Sequence, residues 1–361
     1  MVSLVLGARP AGAYSVLAHE SNIDALWDSG IRPLLLQKYP RTTPDALLAA
    51  RAYAYGGSVI QDLGYYPFGS HFFTNLVHYV KTGDFVEALL RDASDVNEYA
   101  FALGALCHYA SDHSGHAMAV NRALPLIYPK LKKKFGDDVP YDEAPKEHVL
   151  VEFAFDVLLV AHGGYKLQAY HEFIGFHVAK PLLERAFEET YGLEMKKLFL
   201  SEDLAVGTFR HAVGSTIPDV TKVAWEKKQE QIQKTTPGVV REDFVLSLPR
   251  VDYEKEYGKD YQKPGFFARI LGFLYKLLPK IGPLRPLAFK VPTPEAEKLF
   301  LESLDRTREQ FGAELRRLKE TGRVQLANVN LDTGKPERRG DYRLADETFA
   351  EWQAKTRERS R

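Results

Sequence analysis

Three residues of the sequence have the types and the spacing of metal ligands. His108, Asp112 and His116 follow one another at intervals of four residues, so on an α-helix their side chains would leave from one stripe. That stripe spans roughly 12 Å at a rise of about 1.5 Å per residue, too long for all three side chains to bind one ion. The spacing therefore predicts that His108 and His116 bind different metals and that Asp112 lies between them as a bridge.

The surroundings of this motif favour a metal site over a chance pattern. Residues 100–107 are almost wholly apolar, which predicts a buried helix, and a carboxylate such as that of Asp112 is rarely buried without a partner or a metal. A second pair, His148 and Glu152, repeats the four-residue spacing. Because imidazole and carboxylate suit zinc, the sequence predicts a cluster of two or three metals.

Helical periodicity dominates the chain, and few segments alternate as strands do. Thr43 and Pro44 have the residue types that open a helix. Longer helices are expected over residues 85–121, 146–162, 165–191, 201–233 and 294–321. The fold class that follows is all-α, a multi-helix bundle around a two- or three-zinc cluster, with a more irregular C-terminal region.

The segment that carries Asp62 is expected to differ from its helical neighbours. Residues 56–69 contain four glycines and a proline, which predicts a loop. A helix is expected to follow from about His71 to Thr82, with Gly83 and Asp84 as its end.

Composition sets limits on the partners. The chain of 361 residues has 48 acidic and 48 basic residues, so no electrostatic argument favours duplex nucleic acid. The single cysteine, Cys107, allows no intrachain disulfide. No segment has the roughly 18 uninterrupted apolar residues that a spanning helix needs. The composition is typical of a globular protein with a large core, and it assigns no oligomeric state.

The sequence suggests three regions. Residues 1–13 contain a short apolar run and end in Ala11-Gly12-Ala13, a pattern that is typical of signal-peptide cleavage. We therefore expect a clipped signal or pro segment and a secreted or periplasmic protein. Residues 14–235 are expected to form the helical metal-binding domain, and residues 236–361 a C-terminal extension that packs on it.

An apolar and basic segment stands out within this extension. Residues 264–287 combine phenylalanine, leucine and isoleucine with scattered lysine and arginine. That mixture suits a helix lying in a membrane interface, where cations meet lipid phosphates. The same pattern also suits a lid or core helix that packs over the bundle.

Four short segments, in the expected order, resemble the zinc-dependent phospholipase C enzymes and their relatives, the fungal single-strand nucleases. The segment from His108 to Asp112, followed by His116, is similar to the central helix of that family. The other three are Tyr14-Ser-Val-Leu-Ala-His19, Ser70-His71-Phe72-Phe73 downstream of Asp62, and His148-Val-Leu-Val-Glu152. The matches span about residues 14–156.

Carried over residue by residue, the resemblance implies three zinc sites. The first site would use Asp62, His71, His108 and Asp112. The second would use His116, His148 and Glu152. The third would use His19, Asp112 and the backbone amine and carbonyl of Tyr14. Cleavage after Ala13 would liberate the Tyr14 amine, and Asp112 would bridge two sites.

The family pattern leaves alternatives at two positions. The interval from Asp112 to His116 is shorter than is typical of the family, which makes His113 a substitute. The interval from Asp62 to His71 is also short, and His78 is the alternative there. Asp62 either orients the attacking water as well as binding metal, or it is a ligand only.

These residues together predict a zinc-dependent phosphodiester hydrolase, most similar to phospholipase C. Zinc lowers the pKa of a bound water towards about 7, which supplies the nucleophile. A phospholipid or another phosphodiester is the expected substrate. The apolar and basic composition of residues 264–287 favours a lipid. A single-strand nuclease with the same metal core and a non-catalytic zinc-binding module are the alternatives.

Overall fold

The computed structural model describes residues 16–161, 176–216 and 289–359, together with residues 225, 229–230, 233 and 238. Helices account for most of these residues, which confirms the all-α prediction. The expected signal segment 1–13, the proposed ligand Tyr14 and the apolar and basic segment 264–287 lie outside the described residues. Export and membrane contact therefore stay predictions.

The described helices form two consecutive sets. The first set is α1 Val16–Leu26, α2 Arg32–Lys38, α3 Pro44–Val59, α4 His71–Tyr79, α5 Thr82–Asp92, α6 Val96–Gly115, α7 Asn121–Ile127, α8 Pro129–Phe135 and α9 Pro145–Ala161. The second set is α10 Lys180–Tyr191, α11 Glu202–His211, α12 Pro294–Thr321 and α13 Arg343–Arg359. A two-residue antiparallel pair joins β1 Val329–Asn330 to β2 Lys335–Pro336.

Several helices begin where the sequence predicts. The Thr43 hydroxyl accepts a hydrogen bond from the Ala46 N–H at 3.2 Å and caps α3, with Pro44 in the first turn. Thr293 caps α12 in the same way, through the Ala296 N–H at 3.2 Å. The long helix expected over 294–321 is confirmed at both ends.

The expected loop over 56–69 is wrong for residues 56–65, which are helical. Helix α3 continues through Gly56 and Gly57 to Val59, and a 3-10 helix follows at Ile60–Tyr65. The two glycines are there for packing, since a Cβ on Gly57 would lie 1.8 Å from the Phe101 carbonyl oxygen. Glycine in this segment permits two helix backbones to touch, and it does not break the helix.

The break expected at Gly83 and Asp84 is also wrong. Helix α4 ends at Tyr79, Lys81 takes the left-handed conformation with φ 53°, and α5 starts at Thr82. The Gly83 and Asp84 N–H groups donate to the Asn328 side-chain oxygen at 2.9 and 3.1 Å. A residue remote in sequence thus satisfies the first N–H groups of α5, which local patterns could not reveal.

The core is built around the crossing of α3 and α6. A Cβ on Gly104 would lie 2.1 Å from the Ala54 carbonyl oxygen, so both helices contribute glycine to their contact. Helix α12 packs along α6, and α1 packs against α3, α6 and α9. Helix α6 is therefore covered on several sides and carries its polar residues within the interior.

The described part of the C-terminal region packs closely on the bundle. The Tyr109 hydroxyl donates to the Ala327 carbonyl at 2.8 Å, and the Leu331 N–H donates to the His78 carbonyl at 3.0 Å. Within the described residues, no helix is both long enough and apolar enough to cross a lipid bilayer.

Candidate metal centre

A first group of ligand-type side chains meets inside the bundle. It comprises Asp62 from the 3-10 helix, His78 from α4, and His108 and Asp112 from α6. All four side chains are buried. The His78 Nε2 atom lies 3.4 Å from Asp62 Oδ1, 3.2 Å from Asp112 Oδ2 and 3.2 Å from His108 Nε2. His108 Nε2 lies 3.1 Å from Asp112 Oδ2.

Backbone carbonyls fix the orientation of both imidazoles in this group. The His78 Nδ1–H donates to the Thr74 carbonyl at 2.8 Å, and the His108 Nδ1–H donates to the Ser58 carbonyl at 2.9 Å. A carbonyl oxygen can only accept, so Nδ1 carries the proton in each ring. In the neutral imidazoles both Nε2 lone pairs then face each other and the carboxylates, an arrangement that only a cation or a proton between them makes favourable.

The spacing of these atoms fits zinc. Zinc binds nitrogen and oxygen ligands at about 2.0–2.1 Å in tetrahedral geometry, which sets ligand atoms roughly 3.3–3.4 Å apart. The separations of 3.1 to 3.4 Å around His78 Nε2 and His108 Nε2 match that edge length. Asp62 Oδ1 and both oxygens of Asp112 are buried and receive no hydrogen bond from the described residues. Buried carboxylate oxygens of this kind need a positive partner.

The electrostatics of the group agree with this reading. Burial alone would lower the pKa of His78, but its close contacts with the Asp112 and Asp62 carboxylates outweigh burial and raise that pKa to about 10. Burial would raise the pKa of Asp112, but the nearby His108 and His116 hold it well below its usual range. The protein thus concentrates negative charge at the place where a metal ion would replace the His78 proton.

Asp112 faces two groups through its two oxygens. Its Oδ2 belongs to the first group, while its Oδ1 lies 3.3 Å from His19 Nε2 and 3.6 Å from His116 Nε2. The His19 and His108 rings stack with centroids 4.5 Å apart. His19, His108 and Asp112 are close enough together to hold an ion of their own. This placement agrees with the bridging role that the helix spacing predicts for Asp112.

The second group adjoins the first along the same stripe. His116, His148 and Glu152 bring ligand atoms to within 4.8 Å of one another, and all three side chains are buried. His148 Nδ1 lies 2.7 Å from Glu152 Oε1, and His116 Nδ1 lies 3.9 Å from the same oxygen. Burial raises the pKa of Glu152, and the surrounding carboxylates add to the effect.

The structure places His78, the alternative that the sequence offers, with the other ligand-type side chains, and His71 apart from them. His71 is the first residue of α4, its side chain is exposed, and it belongs to none of the three groups. His78 lies almost two helical turns later and reaches the centre. The reason is that α4 passes the centre at its C-terminal end, whereas Ser70 and His71 lie at the start of the helix.

His113 has a different role from the one considered for it. Its Nε2 lies 3.2 Å from the Gly334 carbonyl oxygen, on the side of α6 that meets the C-terminal hairpin. His116 is the residue of this pair that faces the other ligand-type side chains.

Sequence reasoning missed Asp332, whose Oδ1 lies 3.4 Å from His116 Nδ1. The only local signal was an aspartate in a turn-rich segment, which is common on protein surfaces.

Half-buried aromatic rings border the centre. The Tyr65 ring centroid lies 6.2 Å from that of His78 and 6.1 Å from that of Tyr141. The Tyr141 ring stands perpendicular to His148 at 5.4 Å. Burial raises the pKa of Tyr65 well above its usual range, so this phenol is neutral at physiological pH.

A helical bundle that gathers histidines and carboxylates into adjoining buried groups is characteristic of proteins with multinuclear metal centres. Residues 25–201 match the family model described as zinc dependent phospholipase C, and this part of the chain belongs to that family. The match includes Asp62, His78, His108, Asp112 and the second group. No curated protein and no solved structure gives a significant match. The family supports a function of the zinc phosphodiesterase or phospholipase type.

Proposed function

We propose that the protein is a zinc-dependent hydrolase that cleaves phospholipids on the glycerol side of the phosphodiester, as phospholipase C enzymes do. The observation that carries the proposal is the pair of Nε2 atoms of His78 and His108, 3.2 Å apart and each oriented by a backbone carbonyl. Family membership over residues 25–201 supports the phospholipid as substrate.

The charges of the centre support a metal-dependent reaction on an anionic substrate. The carboxylates of Asp62, Asp112 and Asp332 are buried there, and without metal ions they would repel a phosphodiester anion. Zinc ions in such a centre supply Lewis acidity and activate water for attack at phosphorus. We therefore expect the anionic substrate to bind the metal-loaded protein and not the metal-free protein.

In this proposal, residues of the protein hold the metal ions and orient the reacting groups. The Nδ1–H groups of His78 and His108 donate to backbone carbonyls, so their Nε2 atoms are directed into the centre. Asp62 Oδ1 is buried without a hydrogen bond from the described residues, and it either orients the attacking water or serves as a ligand only. The neutral Tyr65 ring borders the centre without repelling a phosphate group.

A panel assay tests the proposed activity. Purified zinc-replete protein is offered phosphatidylcholine, phosphatidylinositol, sphingomyelin and single-stranded DNA, beside a His78→Ala variant. The expected result is release of a phosphorylated headgroup from at least one lipid, lost in the variant and after chelation. Cleavage of single-stranded DNA without lipid hydrolysis would favour a nuclease. Stoichiometric zinc without any turnover would favour a zinc-binding module.

A further inference from the structure

Asp332 brings a carboxylate to the second group from outside the family match. It lies between β1 and β2, about 130 residues beyond the end of the match at residue 201. The side chain is only 3 % exposed. Its Oδ1 lies 3.4 Å from His116 Nδ1 and 3.5 Å from His148 Nε2. Both distances agree with the edge of roughly 3.3–3.4 Å expected between ligands of one zinc ion.

The hairpin is built to hold Asp332 in one position. The Asn330 side-chain oxygen accepts hydrogen bonds from the N–H groups of Asp332 and Thr333 at 2.9 and 3.0 Å. Gly334 supplies the left-handed backbone, with φ 67°, that returns the chain towards β2. The Asn121 amide donates to the Asp332 carbonyl at 2.8 Å, which ties the hairpin to α7 beside the centre.

The two oxygens of the Asp332 carboxylate have different surroundings. Oδ2 accepts hydrogen bonds from the Tyr141 N–H and the Tyr342 hydroxyl, both at 2.9 Å. Oδ1 receives no hydrogen bond from the described residues, although it is buried. A carboxylate that is anchored through one oxygen and directs the other at two imidazoles has the arrangement of a metal ligand.

His148 is oriented towards the same place. Its Nε2 lies 2.8 Å from Asn121 Oδ1, an amide oxygen that accepts hydrogen bonds, and 3.5 Å from Asp332 Oδ1, while its Nδ1 lies 2.7 Å from Glu152 Oε1. The buried Asp332 Oδ1 needs a positive partner, which a metal ion beside His116 and His148 would supply.

We infer that Asp332 is a ligand of the metal ion that the second group holds, so that the C-terminal hairpin completes a zinc site begun by the family domain. The inference rests on the proposed zinc centre and adds to it a residue that the family match does not contain. Metal binding by Asp332 would also explain why the hairpin packs against α6 and α7.

Zinc affinity, measured by competition with a chromogenic chelator, tests the inference. Asp332→Asn should weaken one zinc of the full-length protein by at least about tenfold, the effect typical of disturbing a metal's ligand environment. The matched control is Tyr342→Phe, which removes a hydrogen bond to Oδ2 and leaves Oδ1 in place. Circular dichroism shows whether each variant is folded. Equal loss of zinc in both variants, or no loss in Asp332→Asn, would overturn the inference.

Cobalt(II) gives a second readout that does not depend on affinity. In Asp332→Cys, a direct ligand should produce a thiolate-to-cobalt charge-transfer absorption that the wild-type protein lacks. Wild-type protein, which also contains the buried Cys107, controls for absorption from that thiol. A cobalt-loaded Asp332→Cys protein without that absorption would contradict ligation by residue 332. Absence of zinc from the wild-type protein would instead remove the proposed function itself, so the two failures differ.

Discussion

At the scale of single residues, the centre depends on how each histidine ring is held. His78 and His108 use Nδ1 to bond backbone carbonyls of Thr74 and Ser58, which directs Nε2 inward. Such contacts fix the tautomer as well as the orientation, and their loss typically costs 10–100-fold in metal affinity or activity. The two backbone carbonyls therefore matter for metal binding together with the ligands that they orient.

His78 and His71 form a matched pair for testing the first group. His78→Ala should remove one bound zinc, because it deletes the nitrogen that lies within 3.4 Å of three other ligand atoms. His71→Ala should keep the zinc content of the wild type, because the His71 side chain is exposed and outside the groups. Elemental analysis of both proteins decides, and zinc loss in His71→Ala alone would restore His71 as the ligand.

The raised pKa of His78 predicts a pH dependence for the metal-free protein. Its pKa rises from 6.5 to about 10 on folding, so the protonated ring stabilises the folded state fully below about 6.5. That contribution should disappear as the pH rises through about 10. Zinc binding near pH 7 should release this proton and become tighter with rising pH.

Calorimetry in buffers of different ionisation enthalpy measures that proton release directly. The His78→Ala protein should release about one proton fewer per bound set of metals. Identical proton release by both proteins, or metal affinity that does not change between pH 6 and pH 8, would contradict the role given to His78.

At the scale of elements, the sequence predicted what local patterns determine. Helix α12 and the cap at Thr43 follow from residue types that act on their own neighbours. The helical stripe through His108 and Asp112 follows from periodicity alone. The choice between His71 and His78 did not, because it depends on which end of α4 points to the centre.

Long-range contacts explain the remaining errors. Gly57 looked like part of a loop, but it lies in α3 where the backbone of α6 approaches. The start of α5 is capped by Asn328, and Asp332 enters the centre from a hairpin. The contacts of Asn328 and Asp332 join residues more than 180 positions apart in the sequence. Gly57 and Phe101 lie in two separate helices. No short window of sequence contains both partners of any of these contacts.

The α3 and α6 crossing yields a stability prediction. Gly57→Ala would place a Cβ 1.8 Å from the Phe101 carbonyl oxygen, where backbone atoms cannot rotate away. We expect a loss of about 3 kcal/mol in the free energy of unfolding, at the upper end of the usual cost of overpacking. Chemical denaturation measures this loss.

Gly312→Ala in α12 is the control for that measurement. Its Cβ would meet only side-chain atoms, the nearest being Arg316 Nη1 at 3.4 Å. Alanine favours helix over glycine by about 1 kcal/mol, so this variant should be neutral or slightly more stable. Equal stability of the two variants would show that the helices do not touch as described.

At the scale of the whole molecule, the centre draws on parts of the chain that are far apart in sequence. Residues from α1, α4, α6 and α9 meet there, and the hairpin adds Asp332. The Leu17 and Ala18 N–H groups donate to the Asp156 carboxylate at 3.1 Å each, which fixes the start of α1 to α9. His19 follows directly after this anchored turn and faces Asp112.

The proposed role of the Tyr14 amine predicts an effect of processing. Protein that begins at Tyr14 should bind one more zinc, and be more active, than protein that begins at Met1, because only the former has an α-amine at residue 14. We propose that export, with cleavage after Ala13, produces the form that begins at Tyr14. Equal zinc content in both forms, with the extension shown to be intact by mass spectrometry, would argue against a ligand at the N-terminus.

The central claim is that Asp112 joins two zinc sites, and zinc stoichiometry tests it most directly. Wild-type protein, dialysed against trace zinc, should hold two or three ions per chain by elemental analysis. Asp112→Asn should lose more than one ion, because Oδ2 faces His78 and His108 while Oδ1 faces His19 and His116. Wild-type protein without zinc above trace, or an Asp112→Asn protein that keeps every ion but one, would contradict the account.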